Sequence, residues 1–394
     1  MGSKIVVLGG SGAMAQVTVR DLIDSPVVDL VGIADINYEG AKSLADQLAT
    51  DKVSALRADV RDSHGLRRLI GEFDVVVNST WYQFNLDVMR AAIAAGVHYM
   101  DLGGLYHMTM KQMELDREAK NSSVTCILGI GSSPGTMNLM AAYGASKMSK
   151  IKSIKLRSGS SPPSKPTEIL QAPYSIRTIL DEFTLPPMIL REGKIQEASP
   201  LSGKERFSLP APVGELEGYY TLHSELATLP RTLNKGVQEM DFIVAFPPEF
   251  TKTVALFVKM GLASRNPIVI KGTEVIPYDV LVAVIDSLPK VDAELDVDVE
   301  RTEVYGESDS TPLKLKYDSI SVPNERWKIG GGIVSTGVPP SIAAQWLAQR
   351  KITVRGVVPP ESCIEPLGFF KELSQRHIRT YEYSEDSRKS KALF

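Results

Sequence analysis

Cysteine is nearly absent from the chain. Cys126 and Cys363 are the only two in 394 residues and lie far apart, which excludes a disulfide framework and leads to the expectation of a reducing, cytoplasmic compartment. Long apolar runs are missing as well. No uninterrupted stretch approaches the ~18 residues of a membrane span. The opening MGSKIVV reads as a first strand rather than a signal peptide, and Val6 stands where a myristoylation signal would want Ser or Thr. Neither sign of charge is in excess. Lys and Arg number 44 against 47 Asp and Glu, a formal charge of -3, so nothing in the bulk charge argues for nucleic acid or an anionic membrane as partner. Metal-ligand spacing is absent among His64, His98, His107, His223 and His377, and no metal is expected. A small-molecule ligand is the remaining expectation.

What is present is an ordinary globular composition, 43% hydrophobic and 23% charged, in a chain long enough for two domains with full cores. The stretch around which the rest is arranged is KIVVLGGSGAMA, Lys4 to Ala15. The strand-forming run Ile5 to Leu8 enters Gly9, Gly10, Ser11 and Gly12, and a helical segment, Ala13 to Ile23, follows at once. Gly10, Gly12 and Ala15 make a G-x-G-x-x-A spacing: one glycine for the turn, one for the approach of a pyrophosphate, one small residue for close helix packing. The N-H groups of Ser11, Gly12, Ala13 and Met14 and the positive end of the helix dipole would face the phosphates. The next apolar run, Val27 to Ala34, ends at Asp35, where a carboxylate can accept the adenosine ribose hydroxyls; Asp35 could also cap the helix beginning near Tyr38. No Arg or Lys follows until Lys42. A 2'-phosphate would therefore meet an uncompensated negative charge, and NAD is expected over NADP.

Strand and helix patterns then alternate for ~125 residues, which predicts a Rossmann-type doubly wound parallel sheet. Helical spacing at Ala41, Leu44, Ala45 and Leu48 precedes the short run Val53 to Leu56, after which Asp59 and Val60 could flank the adenine. A helix near Ser63 to Ile70, the strand Phe73 to Asn78, a helix through Val88 and Ala95, the strand Val97 to Leu102, a helix around Met110 to Lys120 and the strand Val124 to Leu128 complete the series. Ligands of such a sheet bind beyond the carboxyl ends of the strands. Three polar clusters collect there: Asn78-Ser79-Thr80-Trp81-Tyr82-Gln83-Phe84-Asn85, Asp101 to Gly104, and Gly131 to Gly135. Each taken alone could be turn chemistry.

From about Lys150 the pattern changes. A basic strand-like run, Ile151 to Arg157, and the Ser/Pro-rich segment Ser158 to Pro166 lead into a second, α+β domain with a largely antiparallel sheet. Ala293, Leu295, Val297 and Val299 alternate with Glu294, Asp296, Asp298 and Glu300, and Leu313, Leu315 and Tyr317 with Lys314, Lys316 and Asp318. The acidic run Asp292 to Glu300 therefore reads most simply as a solvated face. Helices near Pro248 to Met260 and Tyr278 to Ser287 would cover the other side. Near Val338-Pro339-Pro340 a helix is expected to begin, since proline is tolerated at a helix start, and the chain to cross back. The expected division is 1–130 plus 333–383 for the nucleotide domain, 131–332 for the substrate and dimerisation domain, and a loose tail at 384–394.

The glycine turn, VVVNSTWYQFN from Val75, HYMDLGG from His98, GIGSSPG from Gly129, GASKM from Gly144 and the late VSTGVPP and RGVVPPE segments together resemble the saccharopine dehydrogenase family. The resemblance implies a nucleotide domain completed by a returning C-terminal segment, a second domain that closes the cleft and makes a homodimer, and NAD-dependent oxidation of an amino-acid amine. Within the family the likeness is greatest to members that oxidise the side-chain amine of lysine to an imine, from which water releases ammonia. Members that make or split saccharopine tend to carry an acid immediately before the Pro-Gly, where this chain has Ser133.

Oxidation at a carbon bearing nitrogen needs a neutral amine and a group that takes up a proton. Asp101, Tyr82 and His223 are the residues expected to carry catalysis, Asp101 as the preferred cation partner, although it could simply cap the following turn. His107, at a predicted helix start, is a further candidate. Asn78, Ser79, Thr80 and Gly103 are placed with the cofactor; Gln83, Gly104, Glu225, Thr336 and Gly337 with the substrate. Arg177, Lys155 and Arg231 are open alternatives for a substrate carboxylate. A saccharopine-type enzyme acting on a secondary amine and a non-catalytic nucleotide-binding sensor are the competing readings.

Overall fold

The structure, a computed structural model, describes residues 2–161, 170–289, 295–383 and 390–394. The first half alternates as its periodicity predicts: β1 (Ser3–Leu8), α1 (Ala13–Ile23), β2 (Val28–Asp35), α2 (Tyr38–Leu48), β3 (Val53–Arg57), α3 (Ser63–Ile70), β4 (Val75–Asn78), α4 (Asn85–Ala95), β5 (His98–Asp101), α5 (Leu105–Met113), α6 (Asp116–Asn121) and β6 (Thr125–Ile127). The single helix expected over Met110 to Lys120 is instead two, broken at Glu114 and Leu115. His107 thus lies inside α5, not at a helix start.

The second half contains α7 (Thr136–Ser146), β7 (Lys150–Ser160), α8 (Ile176–Thr184), β8 (Met188–Arg191), β9 (Lys194–Glu197), β10 (Glu205–Leu209), β11 (Gly214–Tyr220), α9 (Glu225–Thr232), β12 (Glu239–Ala245), α10 (Pro248–Lys259), β13 (Ile268–Ile270), β14 (Thr273–Val275), α11 (Pro277–Asp286), β15 (Asp298–Ser308) and β16 (Thr311–Ser321). The chain ends with α12 (Gly331–Ala348), β17 (Gly356–Val358), α13 (Pro366–Ser374), β18 (Ile378–Tyr383) and β19 (Ser390–Ala392).

The first sheet is parallel throughout, in the order β17-β6-β5-β4-β1-β2-β3. Its strand order reverses between β1 and β4, and in sheets of this kind the crevice beside that reversal is where ligands bind. Ile5 and Val7 of β1 face one apolar layer with α1 and α12, while Val6 and Leu8 face the layer of α3 and α4. Burial on both faces is why these strands read as unbroken apolar runs.

The second sheet runs β10-β11-β12-β7-β15-β16-β18-β19, with β8 and β9 branching from β12; of its pairings, β7 with β12 is parallel and the others are antiparallel. A separate cluster of Ile179, Phe183, Phe246, Phe250 and Leu281 holds α8, α10 and α11 together.

The returning segment divides between the two sheets. Helix α12 packs on α1, and β17 extends the first sheet beside β6, but β18 joins β16 in the second sheet. Residues 384–389 of the expected loose tail lie outside the described residues, and Ser390–Ala392 pair with Tyr381–Tyr383 as β19. Pro339 and Pro340 do not start a helix; both sit inside α12, which begins eight residues earlier at Gly331. A helix interior normally rejects proline by ~3 kcal/mol. Here the helix is buried along almost its whole length, from Val334 to Leu347, and tertiary packing overrides the local preference.

Candidate active site

The glycine turn is built for close approach. Gly9, just outside the G-x-G-x-x-A spacing, is the residue with left-handed backbone (φ 68°), and a Cβ there would lie 2.9 Å from the Ser79 carbonyl. A Cβ on Gly10 would strike Ile33 at 2.8 Å. Gly12 is the N-cap of α1, no side chain caps the helix, and its first turn contains no acid. Donors and dipole at this end are thus available to an anion. Ala13 and Met14 open the helix, and Ala15 is buried against the core.

Asp35 ends β2 beside this turn. Its Oδ2 accepts from the Ser11 N-H (3.0 Å) and hydroxyl (2.6 Å), and its Oδ1 accepts from the Asn37 N-H (2.9 Å). Oδ1 keeps acceptor capacity for one further hydroxyl. Asn37, rather than Asp35, caps α2, through its contact with the Gly40 N-H. Arg57 lies opposite Asp35 in the β2–β3 register, its guanidinium 5.7 Å from the Tyr38 ring centre. Asp59, after β3, chelates Arg61, which draws its carboxyl down to about 2, and Val60 packs against the core below.

Asn78 closes β4. Its side chain bonds Thr80 at Oδ1 (2.7 Å) and Asn85 at Nδ2 (2.9 Å), and Asn85 in turn holds the Gly103 carbonyl (3.1 Å). The Ser79 hydroxyl between them is buried without a partner among the described residues. Asp101, at the end of β5, is the centre of this rim and not a free cation partner. Oδ1 accepts from the N-H groups of Gly103 (2.9 Å) and Gly129 (2.8 Å), and Oδ2 from Tyr99 (2.9 Å) and Gln112 (2.7 Å). Burial pushes its carboxyl up, against the pull of these donors. With all four acceptor positions filled, it braces the loops after β5 and β6. Gly103 (φ 119°) lies so close to Pro134 that a Cβ would meet it at 2.7 Å, and Gly104 is N-cap to α5, packed on Gln112 and Asn85.

Tyr82 is also a donor rather than a proton acceptor. Its hydroxyl donates to Asp181 (2.7 Å) on α8, and burial, then that bond, push its pKa up. Arg265 bonds the other oxygen of Asp181 (2.7 Å), so this chain ties the rim to the second domain. Gln83 is exposed and adds a contact to Tyr82. Arg177 lies over the Trp81 ring (5.6 Å) and has no ion-pair partner among the described residues, whereas Lys155 faces Glu205 (3.8 Å) and Arg231 is exposed at the end of α9.

The second domain delivers a buried acid-base cluster to the same cleft. His223 stacks on Phe242, and its Nδ1-H donates to Glu225, leaving Nε2 as the acceptor. Burial alone would lower this imidazole; Glu225, aided by Glu182, more than restores it, so its pKa lies above 6.5. Glu182 bonds Tyr174, and burial lifts its carboxyl to about 7 despite the nearby His223. Glu300 completes the group. Its Oε1 accepts from Ser132 (3.0 Å), Ser133 (3.3 Å) and Ser158 (3.1 Å). Burial first, then Asp298, raises it well above the usual carboxylate range.

Glu300 and Asp298 correct the expectation of a solvated acidic face; Asp292 and Glu294 of that run lie outside the described residues. Strand β15 lies between β7 and β16, and both its faces are covered. Register explains why the acids are tolerated: Ser158 stands opposite Glu300 and Ser160 opposite Asp298, supplying hydroxyls across the ladder. Ser335 of α12 bonds Asp298 from above (2.8 Å). Ser158 and Ser160, read from sequence as linker, are thus strand residues of the site, and the rest of that segment, from residue 162, lies outside the described residues.

Thr336 faces Ser132 (3.5 Å), so it does reach the cluster. Gly337 does not. It lies at the crossing of α12 with α1, where Thr18 bonds its carbonyl (2.7 Å) and a Cβ would meet the Met14 carbonyl at 2.5 Å. It serves helix packing rather than substrate contact. Among the described residues no group of three or more His, Cys, Asp or Glu is arranged to hold a metal, and no helix is long and apolar enough to cross a membrane.

A parallel sheet whose strand order reverses at a glycine turn, with an uncapped helix end and a carboxylate, Asp35, closing the neighbouring strand, defines a nicotinamide-dinucleotide-binding protein with a second domain. The profile described as saccharopine dehydrogenase NADP binding domain matches residues 5–127, and that of the saccharopine dehydrogenase C-terminal domain matches residues 131–378. The chain belongs to the saccharopine dehydrogenase family.

A glutamate-forming, NADP-dependent saccharopine dehydrogenase of Pyricularia oryzae is 29% identical over 141 residues, 36% of this chain and 30% of that protein. A carboxynorspermidine synthase of Vibrio cholerae is 23% identical over 266 residues, 63% of this chain and 62% of that one. The matches thus span less than two thirds of either relative. The structure of a glutamate-forming saccharopine dehydrogenase from Saccharomyces cerevisiae superposes with a TM-score of 0.74 at 18% identity, covering 97% of this chain and 100% of that one, which establishes the shared fold.

Proposed function

We propose that this protein is an NAD-dependent dehydrogenase that oxidises the amine of an amino acid, as lysine 6-dehydrogenases do. The observation that carries the reading is His223. It is held by Glu225 through Nδ1, its Nε2 has no hydrogen-bond partner among the described residues, and the neighbouring Ser224 lies against Gly103 of the rim. The dinucleotide, when bound, supplies the hydride acceptor. His223 takes a proton from the substrate ammonium, which frees the nitrogen lone pair to form the C=N bond as hydride leaves carbon. Water then adds to the iminium, and ammonia departs to give the aldehyde. Arg177 holds the carboxylate, with Trp81 fixing its guanidinium plane.

A secondary amine of the saccharopine type would bring further carboxylates, and the other cations named above are already paired or face away. The aligned Ser11-Asp35 pair supports NAD; Arg57 opposite Asp35 is the feature that would favour NADP. The chain works as a homodimer. Leu256 on α10, Met260 at its C-cap, Val280 and Val284 on α11 and Val269 on the β13–β14 hairpin are about half exposed or more, and a two-stranded hairpin is marginal unless something covers it.

The test is to offer L-lysine or L-saccharopine with NAD and follow NADH and ammonia. Lysine turnover with ammonia released supports the reading. Turnover of saccharopine alone supports the secondary-amine reading, and NADH binding with no turnover supports a sensor.

A further inference from the structure

The RGVVPPE segment ends in Glu361, on a 3-10 turn, Pro360–Ser362, that follows β17 at the edge of the first sheet. Its carboxyl joins two helices that pack on the second sheet, α7 on β15 and α9 on β12. Oε2 accepts from the Asn138 amide of α7 (3.0 Å), and Oε1 from the Thr232 hydroxyl of α9 (2.9 Å). The Thr228 hydroxyl, one turn before Thr232, bonds the carboxyl as well, and the Asn138 amide also reaches Thr228 (3.3 Å). Asn138 and Thr228 are 1% and 3% exposed. Among the described residues no Lys, Arg or His pairs with Glu361, and burial raises its carboxyl against the pull of these neutral donors. Desolvating a carboxyl without a cation is unfavourable, so what it joins is the point of interest.

Both helices begin at the site. Glu225 is the first residue of α9, and Thr228 and Thr232 follow it at i+3 and i+7, on the same face. The stripe that bears the two threonines therefore also bears the acid that holds His223. Helix α9 is eight residues long and contains Pro230, so it lacks one internal N-H and depends on outside contacts for its position. Asn138 lies in the first turn of α7, where its Oδ1 accepts from the Gly135 N-H (3.0 Å), just after Ser132 and Ser133, which bond Glu300. One carboxyl of the returning segment thus ties the first turn of α7 to two successive turns of α9.

We propose that Glu361 is a positioning residue for proton transfer by His223: through α9 it sets where Glu225 stands, and so how the imidazole is turned. The role rests on the amine-dehydrogenase reading above and extends it to the returning segment. The charged groups facing His223 are Glu225 and, from α8, Glu182, while Phe242 of β12 stacks on its ring; Glu361 is not among them, so its loss reaches the imidazole only through the helix. The bridge needs an acceptor for Asn138 and a second polar atom for the threonines, not a negative charge. Glutamine supplies both. Its carbonyl accepts from Asn138, and its amide donates to a threonine hydroxyl that turns to its own helix, as Thr232 can to the Thr228 carbonyl (3.1 Å). Alanine supplies neither.

Histidine NMR titration of the full-length chain, with His223 assigned by its loss in His223→Asn, reads the brace without any substrate. The expected result is a midpoint above 6.5 in the wild type, a fall of about 0.5 pH unit or more in Glu361→Ala, and the wild-type value in Glu361→Gln. With L-lysine and NAD, kcat should drop about 10-fold or more in Glu361→Ala, NADH affinity being kept, and return to within about threefold of wild type in Glu361→Gln. Should Glu361→Ala fail to fold, Thr228→Val keeps the shape, removes one contact, and is expected to lower the midpoint in the same direction by less. An unmoved His223 in whichever of these two variants folds overturns the proposal, whatever the thermal midpoint does. A Glu361→Gln protein as altered as Glu361→Ala overturns it too, since the effect would then be one of charge. If the wild type turns over no amine, the dehydrogenase reading falls, and the titration alone decides whether Glu361 sets His223.

Discussion

The imidazole of His223 lies flat on the ring of Phe242, centroids 4.0 Å apart and planes 9° apart. Stacking fixes the ring plane and Glu225 fixes its rotation, so a single nitrogen is presented to the cleft. Activity should therefore rise with pH along a limb whose midpoint lies above 6.5, because the base works only when neutral. In Glu225→Gln that midpoint should move down, and His223→Asn should lower kcat by about 10²–10⁴-fold. Steady-state profiles of kcat/KM against pH measure both. An unshifted limb in Glu225→Gln would argue that another group sets it.

Glu182 makes a separate prediction about stability. Its native carboxyl is raised to about 7 from 4.5, so the folded protein binds this proton more tightly than the unfolded chain does. The stabilisation is fully present below pH 4.5 and is lost as pH rises toward 7, an effect on the order of 3 kcal/mol. Glu182→Gln should flatten that part of the stability profile in urea unfolding at stepped pH. His223 acts in the same direction at higher pH: its pairing contributes fully below 6.5 and fades as pH passes the raised native value.

Asp35 and Arg57 should set the choice between dinucleotides. Asp35→Ala is expected to weaken NADH by roughly tenfold, about 1.4 kcal/mol, and to narrow the preference over NADPH, while Arg57→Ala should leave NADH unaffected and weaken NADPH. Fluorescence titration of both reduced dinucleotides decides it.

Asp101→Asn should act as a structural lesion. An amide replaces one oxygen with a donor facing either two N-H groups or the Tyr99 and Gln112 donors, at a cost of a few kcal/mol. The thermal midpoint should fall. Normal stability with a substrate-specific rise in KM would restore Asp101 as the cation partner.

Val269→Asp on the exposed hairpin should give a monomer by light scattering in place of a dimer, with NADH affinity retained. A wild-type monomer at micromolar concentration would remove the assembly reading.

What could be read from the chain was what depends on neighbours in sequence. The glycine turn, Asp35 and the strand-helix alternation are local patterns, and each stands where its spacing put it. Glu300 was not legible, because alternation of acid with valine has the same appearance whether the acid side meets water or meets serines from another strand. Only the pairing of β15 with β7, 142 positions away at Ser158, makes that distinction. The same holds for Gly337, whose neighbour Thr18 is 319 positions distant, and for Pro339 and Pro340, where a buried site outweighs an unfavourable backbone. Ser79 and Glu225 could be placed near the site from the sequence, but their burial, and that of Ser224, could not.

Helix α12 is rooted at both ends of the molecule's division: Ser335 grips Asp298 of one sheet and Gly337 is wedged against α1 beneath the other. The two lobes consequently share one rod and cannot part like pages of a book. Any breathing that admits a reactant has to be absorbed in the short stretch between those two anchors, because beyond it Ser341 and Gln345 bind Asp21 of α1 as well.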